Sequence, residues 1–424
     1  MAPDELTNWA GNVTFNPARF HRPGSLDEVR ALVAGSERVR VLGTGHSFSR
    51  IADTDGDLLS LEQLNGCELD AQARTVTVRG RLRYGDFARA LDGTGLALPN
   101  LGSLPHISVA GACATGTHGS GDGNKIMAGA VSAVELVTAT GDLVTVRRNE
   151  DDFDAVVVGL GAFGVVTALT LDLRPAFEVR QDVYDDVPSA ELAAGFEEIF
   201  ATGYSVSGFT RWIGPDAARV PDLDLLWVKH RAQDGWAPPP TWFGGTQADG
   251  PRHPVPGMPT EHATEQLGVP GRWYERLPHF RLDFTPSAGE ELQTEYLLPR
   301  RHAVPALAAL GAVRERFAPL LMIGEVRTVA ADGSWLSAAS GRDSVALHFT
   351  WHPDQRAVEA VLPVLEAQLA PFDARPHWGK LFTTPPETVA GLYPRFADAL
   401  AAIGRFDPSG KFRNALLDRY LPSA

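Results

Sequence analysis

Apolar and polar positions near the start of the chain alternate in a pattern that reads strand, helix, strand. Asn12-Val13-Thr14-Phe15 predicts a short strand, and Arg22-Pro23 leads into Ser25-Leu26-Asp27-Glu28. Ser25 is a good N-cap there, with Glu28 three residues on as its capping-box partner. The helix runs through Val29, Leu32 and Val33, and Val39-Arg40-Val41-Leu42 returns as a strand. That strand delivers the chain into Gly43-Thr44-Gly45-His46-Ser47-Phe48, a glycine turn that opens no helix and so is not a Rossmann turn. Strands are predicted at Leu58–Leu61 and Thr75–Val78, and a helix over Tyr84–Leu91. Leu96-Ala97-Leu98-Pro99 then approaches a second glycine-rich stretch, Gly102 to Gly111, which continues from Ala114 through Thr115-Gly116-Thr117-His118 to Gly121. Ala133–Thr138 and Leu143–Val146 flank Thr140-Gly141-Asp142, a hairpin signal.

Gly159-Leu160-Gly161-Ala162-Phe163-Gly164 matches the dinucleotide fingerprint letter for letter. The next residues, Val165 to Leu173, alternate and are rich in β-branched side chains, which predicts a strand. The fingerprint needs a helix at that place, so a separate NAD site is rejected. Beyond Arg174-Pro175-Ala176 the pattern changes, with strands at Val206–Trp212 and Asp224–Lys229. A long irregular stretch from about Ala237 to Pro278, dense in Pro and Gly, reads as a functional loop or lid. Ala303–Phe317 and Ala357–Leu369 have helical periodicity.

A chain of 424 residues predicts two domains with ample apolar content for their cores. The net charge of −14, with no basic block, argues against a nucleic-acid surface and an anionic membrane. With only Cys67 and Cys113, neither a disulfide framework nor a cysteine zinc site is available, and no metal is expected. Met1–Trp9 has no apolar signal-peptide core, and no run reaches the length of a membrane span. A soluble cytoplasmic protein, and a monomer, is expected.

Two hydroxyl-bearing glycine turns folded together offer many backbone N–H groups to an anion such as a pyrophosphate. With a histidine inside the first, the pair resembles the flavin-binding domain of the vanillyl-alcohol oxidase family. Ser103-Leu104-Pro105-His106-Ile107-Ser108, Glu325-Val326-Arg327-Thr328-Val329, Ala346 to Trp351 and Pro376-His377-Trp378-Gly379-Lys380 narrow the resemblance to its alditol (xylitol/sorbitol) oxidase branch. It spans Asn8-Trp9-Ala10-Gly11-Asn12 to Asp407-Pro408-Ser409-Gly410-Lys411-Phe412. The fold it implies is α+β: a PCMH-type FAD-binding domain over 1–177, an inserted α+β substrate domain over 178–375, and a returning C-terminal segment over 376–424.

The resemblance also implies roles. FAD, covalently attached through His46, falls against Val41, Leu42, Gly43, Thr44, Gly45 and Ser47. A second strip comprises Ser103, Ser108, Gly111, Ala112, Cys113 and Ala114, with Val165, Val166 and His377 as further cofactor neighbours. Leu104 stands where some relatives carry a second attachment through cysteine, so a single bond is expected. Gly102 stands where a small residue is associated with access of dioxygen. Substrate positions fall on Ser103, Gln293, Glu325, Arg327, Thr350 and Lys380.

The residues themselves fit such a task. Glu325 and Arg327 are two apart in an apparent strand and leave one face, and His348 and Thr350 repeat the arrangement. A surface ion pair on a half-exposed sheet is the plain alternative. A polyol site needs acceptors and cationic donors together, because a buried hydroxyl left unpaired costs binding energy. Gln293, Glu325 and Thr350 suit distal hydroxyls, and Arg327 and Lys380 the reacting one. Lys380 suits either a general base on the C1 hydroxyl or a cation stabilising the alkoxide. His118 reads as a support of its loop or a contact to the cofactor's backbone, and His106 as structural. The expected activity is hydride transfer from C1 of xylitol, sorbitol or glycerol to flavin N5, giving the aldose, with dioxygen reduced to hydrogen peroxide. An aldonolactone oxidase and a non-catalytic flavin-bound sugar sensor are the alternatives.

Overall fold

The computed structural model describes residues 6–213, 220–284 and 290–423. The first five residues of the Met1–Trp9 stretch lie outside the described residues. β1 (Arg19–His21), α1 (Leu26–Gly35) and β2 (Val39–Val41) form the expected strand–helix–strand unit. Both strands run parallel to β3 (Asp57–Leu59), which lies between them. Ser25 Oγ accepts from Glu28 N at 3.2 Å, as a capping box requires, but Glu28 Oε2 accepts from Gly24 N at 2.8 Å rather than from Ser25. The strand expected at Asn12–Phe15 reduces to one bridge between Thr14 and Thr7. The cause is local: Asn8 Oδ1 accepts from Val13 N at 3.0 Å and closes the chain into a turn.

The next sheet is antiparallel and takes β4 (Gly66–Asp70) and β5 (Thr75–Arg79) from before the second glycine stretch. Then come α2 (Tyr84–Ala90), β6 (Leu96–Ala97) and α3 (Val109–Ala114). The predicted hairpin is β7 (Val131–Val137) with β8 (Leu143–Arg147), and α4 (Phe153–Val156) leads to β9 (Val165–Asp172). The order is β4-β5-β9-β7-β8. A strand, not a helix, therefore comes after Gly159–Gly164. β10 (Arg174–Pro175) pairs with β6.

The remaining strands build one ten-stranded sheet. They are β11 (Glu178–Val187), β12 (Ser205–Thr210), β13 (Leu223–Arg231), β14 (Thr241–Trp242), β15 (Gly245–Gln247), β16 (Gly271–Arg272), β17 (Leu292–Pro299), β18 (Leu321–Val329), β19 (Ser344–Trp351) and β20 (Arg375–Pro376). Its order is β14-β15-β11-β13-β12-β18-β19-β17-β20, with β16 on β11. α5 (Ser189–Ala201), α7 (Ala303–Gly311) and α8 (Gln355–Leu369) cover one face, while α6 (Trp273–Arg276) sits beyond β16. Leu192, Phe196, Leu307, Leu310, Leu362 and Leu365 from those helices pack on Tyr296, Val326, Leu347, Phe349 and Trp351 of the strands. Each such side chain contributes roughly 1.5–3 kcal/mol on full burial. The alternation that buries one set of side chains turns Gln293, Glu325, Arg327, His348 and Thr350 to the opposite face.

α7 stops at Gly311, short of the expected Phe317, and single tight turns continue from it. Glycine's poor helix propensity accounts for the break. The irregular stretch 237–278 holds β14, β15, β16 and α6 and buries His253, Val255, Ala263, Thr264 and Gln266. The C-terminal α9 (Pro386–Leu392), α10 (Phe396–Phe406) and α11 (Ala415–Tyr420) return to the N-terminal half. Val389, Tyr393, Ile403 and Leu417 share a core with Phe87, Phe153, Phe163 and Leu171.

Candidate active site

One cavity runs from the first glycine loop to the polar face of the large sheet. Its upper wall is Val41 to Ser47, where Gly45 adopts φ +72°, a conformation that favours glycine. The N-terminal segment braces this loop from outside: Trp9 N donates to Gly45 O at 2.8 Å and Asn8 Nδ2 to Ser47 O at 2.9 Å. The C-terminal segment braces it from the other side, through Phe48 N to Gly379 O at 2.7 Å and Ser49 Oγ to Trp378 O at 2.7 Å.

The second loop is stitched to the first. Ser108 N donates to Thr44 Oγ1 at 3.0 Å. A Cβ on Gly43 would stand 2.6 Å from Ser108 Oγ, so a larger residue here would have to turn that hydroxyl away. Ser103, Ser108, Gly111, Ala112 and Ala114 all line the cavity, as do Val165, Val166 and His377. Cys113 does not. It lies on α3 facing away, 3.5 Å from Tyr84 Oη, and burial pushes its thiol up to about 12. The short helix turns this one residue of the strip into the core. Leu160, Gly161 and Gly164 of the rejected fingerprint line the same cavity, so that loop serves this site and no separate one.

His46 lies at the heart of the upper wall. Its Nδ1 is 3.0 Å from Thr44 Oγ1, and its ring stacks on Trp9 at 5.4 Å. Nε2 is buried with no hydrogen-bond partner among the described residues. Burial, then His106 and Lys380, push the imidazole down to about 3, so it is neutral and nucleophilic. A glycine-lined cradle with one unpaired neutral ring nitrogen fits FAD on its own chemistry. His377, likewise pushed down to about 3 by burial first, lies at 6.3 Å from His118. Gly102 has room for a methyl group, the nearest atom to an added Cβ being His118 O at 3.6 Å.

The floor is set by strand register. Glu295 on β17 pairs with His348 on β19, which pairs with Glu325 on β18. Gln293 pairs with Thr350 one step along the same face. All line the cavity together with Arg327 and Lys380. Arg327 is the centre: Nη2 donates to Glu295 Oε1 at 3.0 Å, Nη1 to Ser103 Oγ at 3.1 Å, and Nε lies 3.3 Å from Glu325 Oε1. Glu295 Oε1 is also 3.3 Å from His118 Nε2 and 3.4 Å from His348 Nδ1. Burial alone would raise both carboxyls, but the cationic and imidazole neighbours outweigh it and hold Glu295 and Glu325 well below the usual range. A surface ion pair is thereby excluded, since Glu325 and Arg327 are only 6% and 5% exposed.

Lys380 Nζ donates to Gln293 Oε1 and stands over the Phe48 ring at 5.0 Å. Burial lowers its ammonium to about 8, with Glu295 pulling it up and Arg327 pushing it down. It keeps some accessible surface and lines the cavity.

Residues 17–147 match the FAD binding domain profile and residues 290–420 the profile of D-arabinono-1,4-lactone oxidase. An alditol oxidase of Streptomyces sp. is 51% identical over 97% of this chain and 98% of its own length. The chain belongs to the alditol oxidase family. A more distant relative, the L-gulono-1,4-lactone dehydrogenase of Mycobacterium tuberculosis, is 29% identical over 98% of each chain. The crystal structure of cholesterol oxidase from B. sterolicum superimposes with a TM-score of 0.78 at 16% identity, covering 98% of this chain and 96% of that one, which establishes the shared fold. The family fold is α+β, as expected, and its cofactor is FAD.

Several residues that line the cavity are not anticipated by the sequence reading. Glu295 stands two residues after Gln293, and the alternation that marks Glu325 and Arg327 applies equally there. His279 closes the irregular stretch, with Nε2 at 2.8 Å from Glu325 Oε1. Pro254 and Val255, from the middle of that stretch, add apolar wall. His118, expected to support its loop or contact the cofactor's backbone, faces Glu295. His106 is a support, its Nε2 at 2.9 Å from Leu282 O.

Proposed function

We propose that this chain oxidises C1 of polyols, with xylitol and sorbitol as substrates and glycerol as a shorter one, to the aldose. FAD, when bound, takes the hydride and passes the electrons to dioxygen, giving hydrogen peroxide. The observation that carries the reading is the continuity of one cavity from the unpaired His46 Nε2 to a floor where acceptors and donors alternate. A neutral, hydroxyl-rich chain needs both kinds of partner at close spacing, whereas a monohydric alcohol leaves most of them unpaired.

In this reading Gln293, Glu325, His348 and Thr350 take the distal hydroxyls, while Ser103 and Arg327 hold the reacting oxygen. Lys380 takes its proton. Arg327 keeps its charge throughout, so it stabilises the oxygen as the proton leaves. The chain divides at 1–177, 178–375 and 376–424, the last segment bringing His377 and Lys380 to the junction. The same proposal takes the protein to be a cytoplasmic monomer, which light scattering on the purified holoprotein tests.

Anaerobic addition of xylitol should bleach the flavin band, and air should restore it with one peroxide per turnover. An unchanged spectrum sinks the proposal and favours the sensor. The lactone-oxidase profile over 290–420 supports a second reading, in which a sugar lactone is the substrate. A panel of polyols and aldonolactones under peroxide detection separates the two, and faster turnover of the lactones would reverse the order.

His46 is taken as the point of covalent attachment. In His46→Ala the yellow colour should leave the pellet on acid precipitation, whereas wild-type colour stays with the protein. A coloured pellet from the variant rules this attachment out.

A further inference from the structure

Behind Glu325 lies a buried pair that the proposed reaction does not use. Lys229 is on β13, two residues from Trp227, on the same face of the sheet as Arg327. It is 1% exposed. Its Nζ donates to Leu277 O at 2.6 Å, to Pro278 O at 3.0 Å and to His279 Nδ1 at 3.2 Å. Burial pushes the Lys229 ammonium well down, but an ionised Glu325 calls for the ring proton on His279 Nε2, and the Nδ1 lone pair with the two carbonyls then takes all three N–H donors of the charged form. His279 Nδ1 must then accept, and the ring proton resides on Nε2. That nitrogen lies 2.8 Å from Glu325 Oε1, and an ionised carboxylate only accepts. The direction of donation is fixed throughout: Lys229 to His279 to Glu325. Phe209 and Trp227 pack edge-on against the imidazole at 5.5 and 5.2 Å and hold its plane.

Glu325 Oε1 is thereby taken up by His279 and approached by Arg327 Nε at 3.3 Å, while Oε2 has no hydrogen bond to any described residue. We propose that Lys229 and His279 are positioning residues that lock Glu325 with Oε2 turned to the cavity as a dedicated acceptor for a substrate hydroxyl. The assignment rests on the polyol reading of the cavity. Burial first, then the charge of Lys229, pushes His279 down to about 4, so the pair acts through its tautomer and not through a charged imidazolium. The charged and titratable groups facing it are Lys229 from β13, Glu325 and Arg327 from β18 and Arg276 from α6, with His348 on β19 facing Glu325 from the other side.

The test uses the FAD-loaded enzyme. In Lys229→Met the imidazole loses the donor that fixes its tautomer, and in His279→Leu the carboxylate loses its donor. Both should weaken xylitol binding in anaerobic reduction roughly ten- to a hundredfold, with a smaller fall in the limiting reduction rate. The acid limb of the binding profile should move to higher pH, because Glu325 loses a group that holds its proton off. His279→Gln keeps an N–H toward Glu325 and should restore most of the affinity. Binding within twofold of wild type with an unmoved acid limb, in loaded variants, overturns the proposal. Should the leucine variant not fold, ¹⁵N spectra of histidine-labelled wild type, assigned by difference from His279→Gln, decide the tautomer. A proton on Nε2 supports the lock, and one on Nδ1 overturns it. If wild type itself is not bleached by xylitol, the polyol reading has failed, and the spectra still report on the pair.

Discussion

Lys380→Met is expected to slow anaerobic reduction of the bound flavin by xylitol about 10²–10⁴-fold, the range removed with a general base, while FAD stays in place. The side chain sits where burial outweighs its carboxylate neighbours and brings the ammonium to about 8. A fair fraction of free amine is therefore present near neutral pH. Arg327 supplies a permanent positive charge on the same floor, so a second fixed cation is redundant, and the imidazoles of His46 and His377, pushed down to about 3, are weak proton acceptors. Glu295 and Glu325 are held far below the usual carboxylate range by their partners and are poor bases. The two roles predict opposite signs. If Lys380 acts as the amine, the reduction rate rises with pH through about 8 and levels above it. If it acts as the ammonium, the rate falls across the same window. Methionine keeps the length and the packing on Phe48 but neither accepts the proton nor bonds Gln293. A variant reduced at near the wild-type rate removes Lys380 from the chemistry.

The alternation of apolar and polar residues along the chain places part of this site, while Ser103, Gln293, Lys380 and the cofactor positions come from the family resemblance. Glu325 with Arg327, and His348 with Thr350, can be assigned to one face because a strand repeats every two residues. Register then joins them, and register is a long-range property: nothing local pairs His348 with both Glu295 and Glu325. Glu295 is within reach of the same reasoning, two positions after Gln293. Lys229 also leaves a trace, as a charge ending the apolar run Leu225-Leu226-Trp227-Val228. His279 leaves none, since the stretch before it has no period and its contact with Glu325 spans 46 residues. Cys113 escapes for a related reason. Six residues of α3 are too few to show a helical repeat, so the strip reads as an open loop with every side chain on one wall. The fold is legible where capping and turn chemistry are local, at Ser25 and at Thr140-Gly141-Asp142. It is less so where a helix ends on a single glycine, at Gly311.

Arg327→Met is expected to cost both activity and stability, and the stability loss should depend on pH. In wild type the guanidinium spans two buried carboxylates and Ser103 Oγ. Removing one partner from a buried ion pair typically costs about 3–5 kcal/mol, because an uncompensated charge is left inside. Here two carboxylates lose their permanent cation at once. Glu325 and Glu295 have folded-state pKa values below their unfolded ones, so in wild type they add stability above the ordinary carboxylate pKa, and lose it only as pH falls toward their folded values. Without Arg327 both rise, because His118 and His348 beside Glu295, and His279 and His348 beside Glu325, offset less of the burial. The variant therefore keeps less of the stability that ionised carboxylates give wild type above the carboxylate range. The gap in melting temperature between wild type and variant, both FAD-loaded, should therefore be wider at about pH 7 than at about pH 4. An equal gap at both values means that the arginine is not what keeps these carboxylates ionised. Arg327→Lys should not rescue turnover, because a single ammonium cannot reach three acceptors that diverge around a planar fork. Near-full activity in the lysine variant would reduce the role of Arg327 to charge alone.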